Sequence, residues 1–231
     1  MHYKNLTLIG SSHVSRESVE LVKKTVEQEK PGIIAVELDK DRLAALLHKK
    51  KRGIFIKGVG IKGMLFAAIG AWIEKRIGKI VKVEPGSEMK IAIQLAKQHN
   101  AKIALIDQHI AITLRRFSET ITWKEKWHFL VDMIIGVVAP TQQMKKIHIT
   151  MSDLTKVPSK ETIKRLLAFV KQRYPNLYNV LVQERNVVMA NNLAGLMKHF
   201  PNQKIVAIVG AGHEEEIIRL IKEKLYKATS G

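Results

Sequence analysis

Ile205-Val206-Ala207-Ile208-Val209-Gly210-Ala211-Gly212-His213 and, 200 residues earlier, Leu6-Thr7-Leu8-Ile9-Gly10-Ser11-Ser12-His13 are two versions of one element. Each is a short apolar run, then Gly-x-x-His, then a helical pattern. An apolar run of that length bounded by glycine reads as a buried strand. Open parallel sheets hold their ligand sites beyond the carboxyl ends of the strands, where such turns lie. Two histidines delivered in this way can converge on one site, as metal ligands or as a general base near neutral pH. A lone histidine after a strand is most often structural; the matched pair is what favours function.

Further strand-like runs occur at Ile33–Leu38, Ile80–Val83 and Ile103–Ile106. Between them lie helical patterns. Ser15 heads one that runs to Lys30, with Val19, Val22 and Val26 on one face and Pro31-Gly32 as its stop. A second starts at Asp39 or Asp41 and runs to about Lys50. Ser87 is the expected cap of a third, with Glu88 in its first turn, ending near Asn100. From Trp123 to His199 the pattern is helical. Pro140, Pro158 and Pro175 divide it into Trp123–Val138, Gln142–Ile149, Lys160–Arg173 and Leu177–His199. A last helix covers Glu214 to about Lys227. The β-α-β alternation at both ends predicts an α/β fold with parallel pairing and a helical insertion over about 120–200.

At 231 residues the chain suits one domain, or two closely packed halves. The absence of cysteine excludes disulfides, thiolate zinc sites and cysteine nucleophiles. A chain that enters a strand by Leu6 is expected to carry no signal peptide. The net charge of +18 is uneven: His48–Lys82 holds ten Lys or Arg and one acid, Glu74. These basic residues interleave with Ile54-Phe55-Ile56, Met64-Leu65-Phe66 and Trp72-Ile73, a pattern suited to an anionic membrane surface. The longest uncharged run there, Gly63–Ile73, is far short of the roughly 20 residues that span a bilayer. The expected location is therefore cytoplasmic or peripheral to a membrane, with no transmembrane span. A homo-oligomer interface is the alternative use of the stretch. Nucleic acid is disfavoured because no recognised binding motif accompanies the charge.

Glu37 lies inside the otherwise apolar Ala35-Val36-Glu37-Leu38, where a charge needs a partner or a metal. Arg42 is available to pair with Glu37 or Asp39. Asp107 closes the run Ile103–Ile106, and Arg115 in Thr113-Leu-Arg-Arg116 offers a guanidinium nearby. Glu184-Arg185-Asn186 interrupts a helix between Val180-Leu181-Val182 and Val187-Val188-Met189. It marks either an exposed face or a polar interior. Glu88, in a first helical turn, is favoured there by the helix dipole alone. A dinucleotide fold is rejected: Gly10-Ser-Ser-His-Val-Ser lacks the second and third glycines, and Glu214–Glu216 would repel a phosphate at the other turn.

Ile9-Gly-Ser-Ser-His-Val-Ser15, Val36-Glu-Leu-Asp39 with Arg42, Pro85-Gly-Ser-Glu-Met89, Ala104-Leu-Ile-Asp107 with Thr113-Leu-Arg-Arg116, Glu184-Arg-Asn186 and Val209-Gly-Ala-Gly-His213 run in order along the chain. Together they resemble the TraB/PrgY family, related to the Tiki proteases and more distantly to ChaN and the erythromycin esterases. The resemblance implies an α/β fold whose related sheet-bearing halves bring both Gly-x-x-His histidines into one cleft. It implies His13 and His213 as ligands of a divalent metal such as Mn²⁺ or Co²⁺, with Zn²⁺ and Fe²⁺ also suited. Glu37 or Glu184 would complete the site and the other would serve as base, with Arg115 or Arg185 at the oxyanion. Gly10, Gly210, Arg42, Glu88, Asp107 and Asn186 fall in the same motifs. The implied activity is a metal-dependent hydrolase, a peptidase acting on a peptide near a membrane. The rival is a non-catalytic regulator of the pheromone-shutdown type that binds the peptide. The esterase branch is similar in site residues without an evident metal requirement. Many TraB-like chains continue into a C-terminal region with several membrane spans, which is not part of this sequence.

Overall fold

The computed structural model describes residues 1–11, 16–48, 86–138 and 159–227. The chain forms two compact units. The first comprises Met1–Gly53, Lys82–Ile110 and Glu184–Gly231, and the second comprises Ile54–Val81 and Ala111–Gln183. His13, the run Ile80–Val83, the helix Gln142–Ile149 and the basic apolar stretch beyond His48 lie outside the described residues.

The first unit is built on β1 (His2–Tyr3), β2 (Leu6–Ser11), β3 (Ile33–Val36), β4 (Lys102–Leu105) and β5 (Ile205–Gly210). All five join one sheet in the order β1-β2-β5-β3-β4. β1 is antiparallel to β2, and the remaining pairs are parallel. The last strand in sequence thus sits between β2 and β3. Register aligns Ser11 with Gly210 and Val36 with Ile208, so the carboxyl ends of β2, β5 and β3 lie side by side.

Side chains alternate across a strand, so each face of the sheet needs its own cover. Leu6, Leu8, Ile33, Ala35, Ile205, Ala207 and Val209 pack against α8 (Glu184–His199) and α9 (Glu214–Lys227). Ile9, Ile34, Val36, Val206 and Ile208 pack against α1 (Arg16–Glu29) and α3 (Ser87–Gln98). Each layer is apolar enough that truncating one of its fully buried leucines or isoleucines to alanine would cost about 2–5 kcal/mol. In α1 the buried residues are Val22 and Val26, as the spacing predicts, and Lys30 ends the helix in the left-handed region at φ 46°. α2 (Lys40–His48) is capped by Asp39, whose Oδ1 accepts the Arg42 amide at 2.9 Å.

Two local expectations need correcting. Ser87 does not cap α3. Gly86 (φ 79°) is the cap residue and Ser87 the first helical one, its Oγ buried with no hydrogen-bond partner. The helix expected over Leu177–His199 is three pieces: α7 (Pro175–Tyr178), a π turn (Asn179–Gln183) and α8. Proline is favoured in a first helical turn, and a π turn inserts one residue that no apolar periodicity announces.

The described residues of the second unit are helical: most of α4 (Ile110–Thr120), α5 (Trp123–Val138), α6 (Lys160–Arg173), α7 and the π turn. α4 was not anticipated as a helix. Thr122 and Glu125 form a capping box at the start of α5: Glu125 N donates to Thr122 Oγ1 at 3.3 Å and Thr122 N to Glu125 Oε2 at 3.1 Å. Ser159 Oγ caps α6 by accepting Thr162 N at 3.1 Å. A small core joins Phe117, Ile121 and Val180. No described helix is long and apolar enough to cross a membrane.

Candidate functional site

Glu37 is the first residue past β3 and still pairs with the sheet, its amide donating to Ile208 O at 3.1 Å. Strand alternation turns its side chain to the α8/α9 face. There it is buried, and its Oε2 accepts the Gly210 amide at 2.5 Å. The turn after β5 is held by His213 N donating to Gly210 O at 2.9 Å, and α9 begins at once, with Ile217 N on His213 O. This compact turn brings His213 Nε2 to 3.6 Å from Glu37 Oε1. On the other side of the ring, Nδ1 lies 2.6 Å from Asn186 Oδ1 on α8. An amide oxygen can only accept, so Nδ1 is the donor to Asn186 and Nε2 is turned toward Glu37.

Arg185, the neighbour of Asn186, holds the carboxylates. Its guanidinium bonds Glu37 Oε1 and forks onto Asp107, at 3.1 Å from Oδ1 and 2.5 Å from Oδ2. Arg42 adds a second guanidinium, 2.5 Å from Asp107 Oδ2 and 3.1 Å from Asp39 Oδ2. Asp39 Oδ2 also accepts the Ile110 amide at 2.8 Å. Burial alone would raise the Asp107 pKa, but hydrogen bonding and charge from Arg185 and charge from Arg42 outweigh it and hold the carboxyl below its ordinary value. Burial works against the Arg185 charge, and Glu37 and Asp107 overcome it and raise its pKa. These described groups comprise three carboxylates, Glu37, Asp39 and Asp107, against two guanidiniums, leaving one excess negative charge beside the His213 imidazole.

Gly10 has a specific steric duty. A Cβ there would lie 2.5 Å from Glu214 Oε2, because the buried Glu214 of α9 lays its carboxylate across the end of β2. Glu214 also pairs with the amino terminus of Met1 at 3.4 Å. The glycine of the first Gly-x-x-His turn thus makes room for the acid that follows the histidine of the second.

The structure therefore gathers Glu37, His213, Asn186, Arg185, Asp107, Arg42 and the Gly210 amide at the carboxyl edge of the sheet. Of Glu184-Arg185-Asn186, the second and third members face a polar interior and Glu184 is half-buried. Glu88 is buried on α3, in the layer that covers the opposite face. Arg115 lies in the second unit, exposed, with Nε 2.9 Å from Glu119 Oε1. Of the two partners offered to Arg42 by the sequence, the structure uses Asp39; Glu214, read there only as an acid in the first turn of the last helix, is the contributor whose place against Gly10 was not foreseen.

His213 and Glu37 are the groups of this set that could take part in holding a divalent ion. Nε2 of His213 and the Glu37 carboxylate converge, and the Asn186 bond to Nδ1 is the outer contact that orients a ligating histidine. Among the described residues no three His, Cys, Asp or Glu side chains form a metal-sized group.

A family model described as TraB/PrgY/gumN matches residues 2–230. The chain belongs to the TraB/PrgY/gumN family. An uncharacterized protein of Methanocaldococcus jannaschii is 34% identical over 223 residues, which is 95% of this chain and 54% of that protein. TraB domain-containing proteins of Bos taurus and Homo sapiens are 24% and 23% identical, over 89% of this chain and 59% and 60% of theirs. The chain spans little more than half the length of these relatives. The matched family region contains every residue of the cluster, and both Gly-x-x-His turns fall inside it.

Proposed function

We propose that this TraB-family chain is a metal-assisted hydrolase that cleaves a peptide at or near a membrane surface. The observation that carries the reading is the His213–Glu37 pair, two donors 3.6 Å apart beside the aligned ends of β2, β5 and β3. On this reading the two Gly-x-x-His turns belong to related halves of a pseudo-repeat, and His13 completes the ligand set with His213 and Glu37. The ion, Mn²⁺ or Co²⁺ by preference and Zn²⁺ or Fe²⁺ as alternatives, supplies a Lewis acid and an activated water when bound.

The chain's own residues perform the rest. Asn186 holds the His213 ring so that Nε2 faces the site. Arg185 and the Gly210 amide anchor the Glu37 carboxylate, and the Asp107–Arg42 pair braces Arg185 from behind. Glu184, half-buried at the start of α8, is the candidate proton acceptor. Arg185, bonded to Glu37, is the candidate for steadying an oxyanion.

The test is elemental analysis and calorimetry on the wild type and on His13→Ala, His213→Ala. Stoichiometric divalent metal that is lost in the variant is the expected result. No divalent ion bound at micromolar concentration in the wild type would overturn the reading.

A second reading, a peptide-binding regulator without bond cleavage, is favoured by a groove of about 510 Å³ between β4 and α8, lined by Leu105, Asn192, Leu196 and Phe200 among others. The two readings separate in a His13→Ala, Glu37→Ala variant: hydrolysis requires that turnover vanish while peptide binding persists.

A further inference from the structure

In the second unit, α5 turns two acids inward, beside the half-buried Phe129 and Ile135. Glu125, only 2% exposed, accepts Asn176 N at 2.8 Å and Asn176 Nδ2 at 3.0 Å. Two turns on, Asp132 accepts Arg173 Nε and NH2 at 3.0 and 2.8 Å and the Tyr174 hydroxyl at 2.6 Å. The outward side of α5 carries large apolar residues: Trp123 is 82% exposed, Trp127 65% and Leu130 41%. These three recur at i, i+4 and i+7, so they form one stripe. A surface helix ordinarily turns such residues toward the core. Single exposed apolar residues need no explanation, but two tryptophans one turn apart with a leucine beyond them do.

The charges around the stripe identify what covers it. Lys124 is exposed beside Trp123, and Lys126 Nζ stands 4.7 Å above the Trp123 ring. The described residues of this unit include nine Lys or Arg and four acids. Two of the acids, Glu125 and Asp132, are turned inward, while Glu119 and Glu161 are paired with Arg115 and Arg165. Tryptophan with lysine on one face, over a basic background, matches the interface of an anionic bilayer: indole rings settle at headgroup depth and ammonium groups meet lipid phosphates and carboxylates. A second copy of the chain fits less well, since a two-fold contact through this stripe would bring both lysine pairs together.

We infer that the Trp123–Trp127–Leu130 face of α5 is a peripheral docking surface for anionic lipid, with the helix lying in the plane of the interface. This surface is separate from the Glu37–His213 cluster and does not depend on its chemistry.

The experiment is vesicle flotation of the full chain against phosphatidylcholine alone and phosphatidylcholine with about a quarter phosphatidylserine. Tryptophan emission is followed in parallel, since two of the three tryptophans lie in the stripe. The wild type is expected to float only with the anionic vesicles, with a blue-shifted emission, and to be released by salt. Trp123→Ala, Trp127→Ala should weaken binding by about tenfold or more while far-UV dichroism stays unchanged, since both rings are exposed. Lys124→Glu, Lys126→Glu leaves the rings in place and should weaken binding by about fivefold or more per lysine. That variant decides the matter should the tryptophan variant misfold. The inference fails if the wild type ignores anionic vesicles, or if neither variant alters its binding. It fails equally if light scattering shows a dimer that the tryptophan substitutions dissociate while vesicle binding is untouched.

Discussion

Replacing Arg185 by methionine keeps most of its volume and removes its charge from between two buried carboxylates. The side chain is 15% exposed and serves both Glu37 and Asp107. Removing one partner of a buried ion pair typically costs about 3–5 kcal/mol, because the charge left behind stays desolvated. Asp107 keeps Arg42 at 2.5 Å and the Gln108 amide at 2.7 Å, and Glu37 keeps the Gly210 amide, which places the cost at the lower end, about 3 kcal/mol. For a chain of this length that is a fall in Tm of about 6–12 °C. Asp107 contributes to the pH dependence. Its folded pKa lies below the unfolded value of 3.8, so its stabilisation is present above that value and is lost as pH falls through the lower folded one. Arg185→Met weakens that depression, so the variant should lose less stability than wild type on going from pH 7 to about pH 3. Urea unfolding followed by circular dichroism at both pH values measures each quantity. Adding Glu37→Gln removes the carboxylate left behind and should recover about 0.5–3 kcal/mol relative to the sum of the single losses. A single-variant cost under about 1 kcal/mol, or strict additivity in the double variant, would refute a coupled buried network.

Gly10→Ala should destabilise the chain by about 1–3 kcal/mol through its clash with Glu214, and Glu214→Ala in the same chain should relieve part of that loss in thermal melts. Glu125 is pushed up by burial, but hydrogen bonds from Asn176, Thr122 and Leu177 dominate and lower its pKa. Its contribution is therefore held above the ordinary value of 4.5 and lost as pH falls below it. Glu125→Gln should flatten the acid limb of the stability curve, read as urea midpoints from pH 6 down to about pH 3. If the chain binds a divalent ion, Asn186→Ala should weaken that binding by about 10–100-fold in calorimetry while leaving the stoichiometry intact. Unchanged affinity would remove Asn186 from the metal's surroundings.

Much of the local structure was legible because it depends on neighbours in sequence. The strands at Leu6, Ile33, Ile103 and Ile205 and the helices Trp123–Val138, Lys160–Arg173 and Glu214–Lys227 follow from apolar periodicity and proline breaks. Glu37 was legible as a charge in an apolar run, which physics requires to be compensated. What compensates it was not. Arg42 neighbours it in sequence yet pairs with Asp39 and Asp107, while Arg185, 148 residues away, takes Glu37. Asn186 read as one polar residue in a helix; only the packing of α8 beside the turn after β5 makes it the partner of His213. The π turn and the Gly86 cap escaped because each depends on backbone geometry that several residue types satisfy.

The sequence by itself determined the α/β class, the family and the need for a counter-charge at Glu37. These are properties of periods, breakers and buried charge that hold whatever the neighbours. Only the tertiary structure decided that β5 inserts between β2 and β3, since parallel strands can be joined in many orders with the same local patterns. That insertion sets Gly210 beside Ser11 and Ile208 beside Val36, and so brings His213 to Glu37. The outward apolar stripe of α5 was likewise invisible, because hydrophobic periodicity shows that a helix has two faces and packing alone decides which one meets the protein.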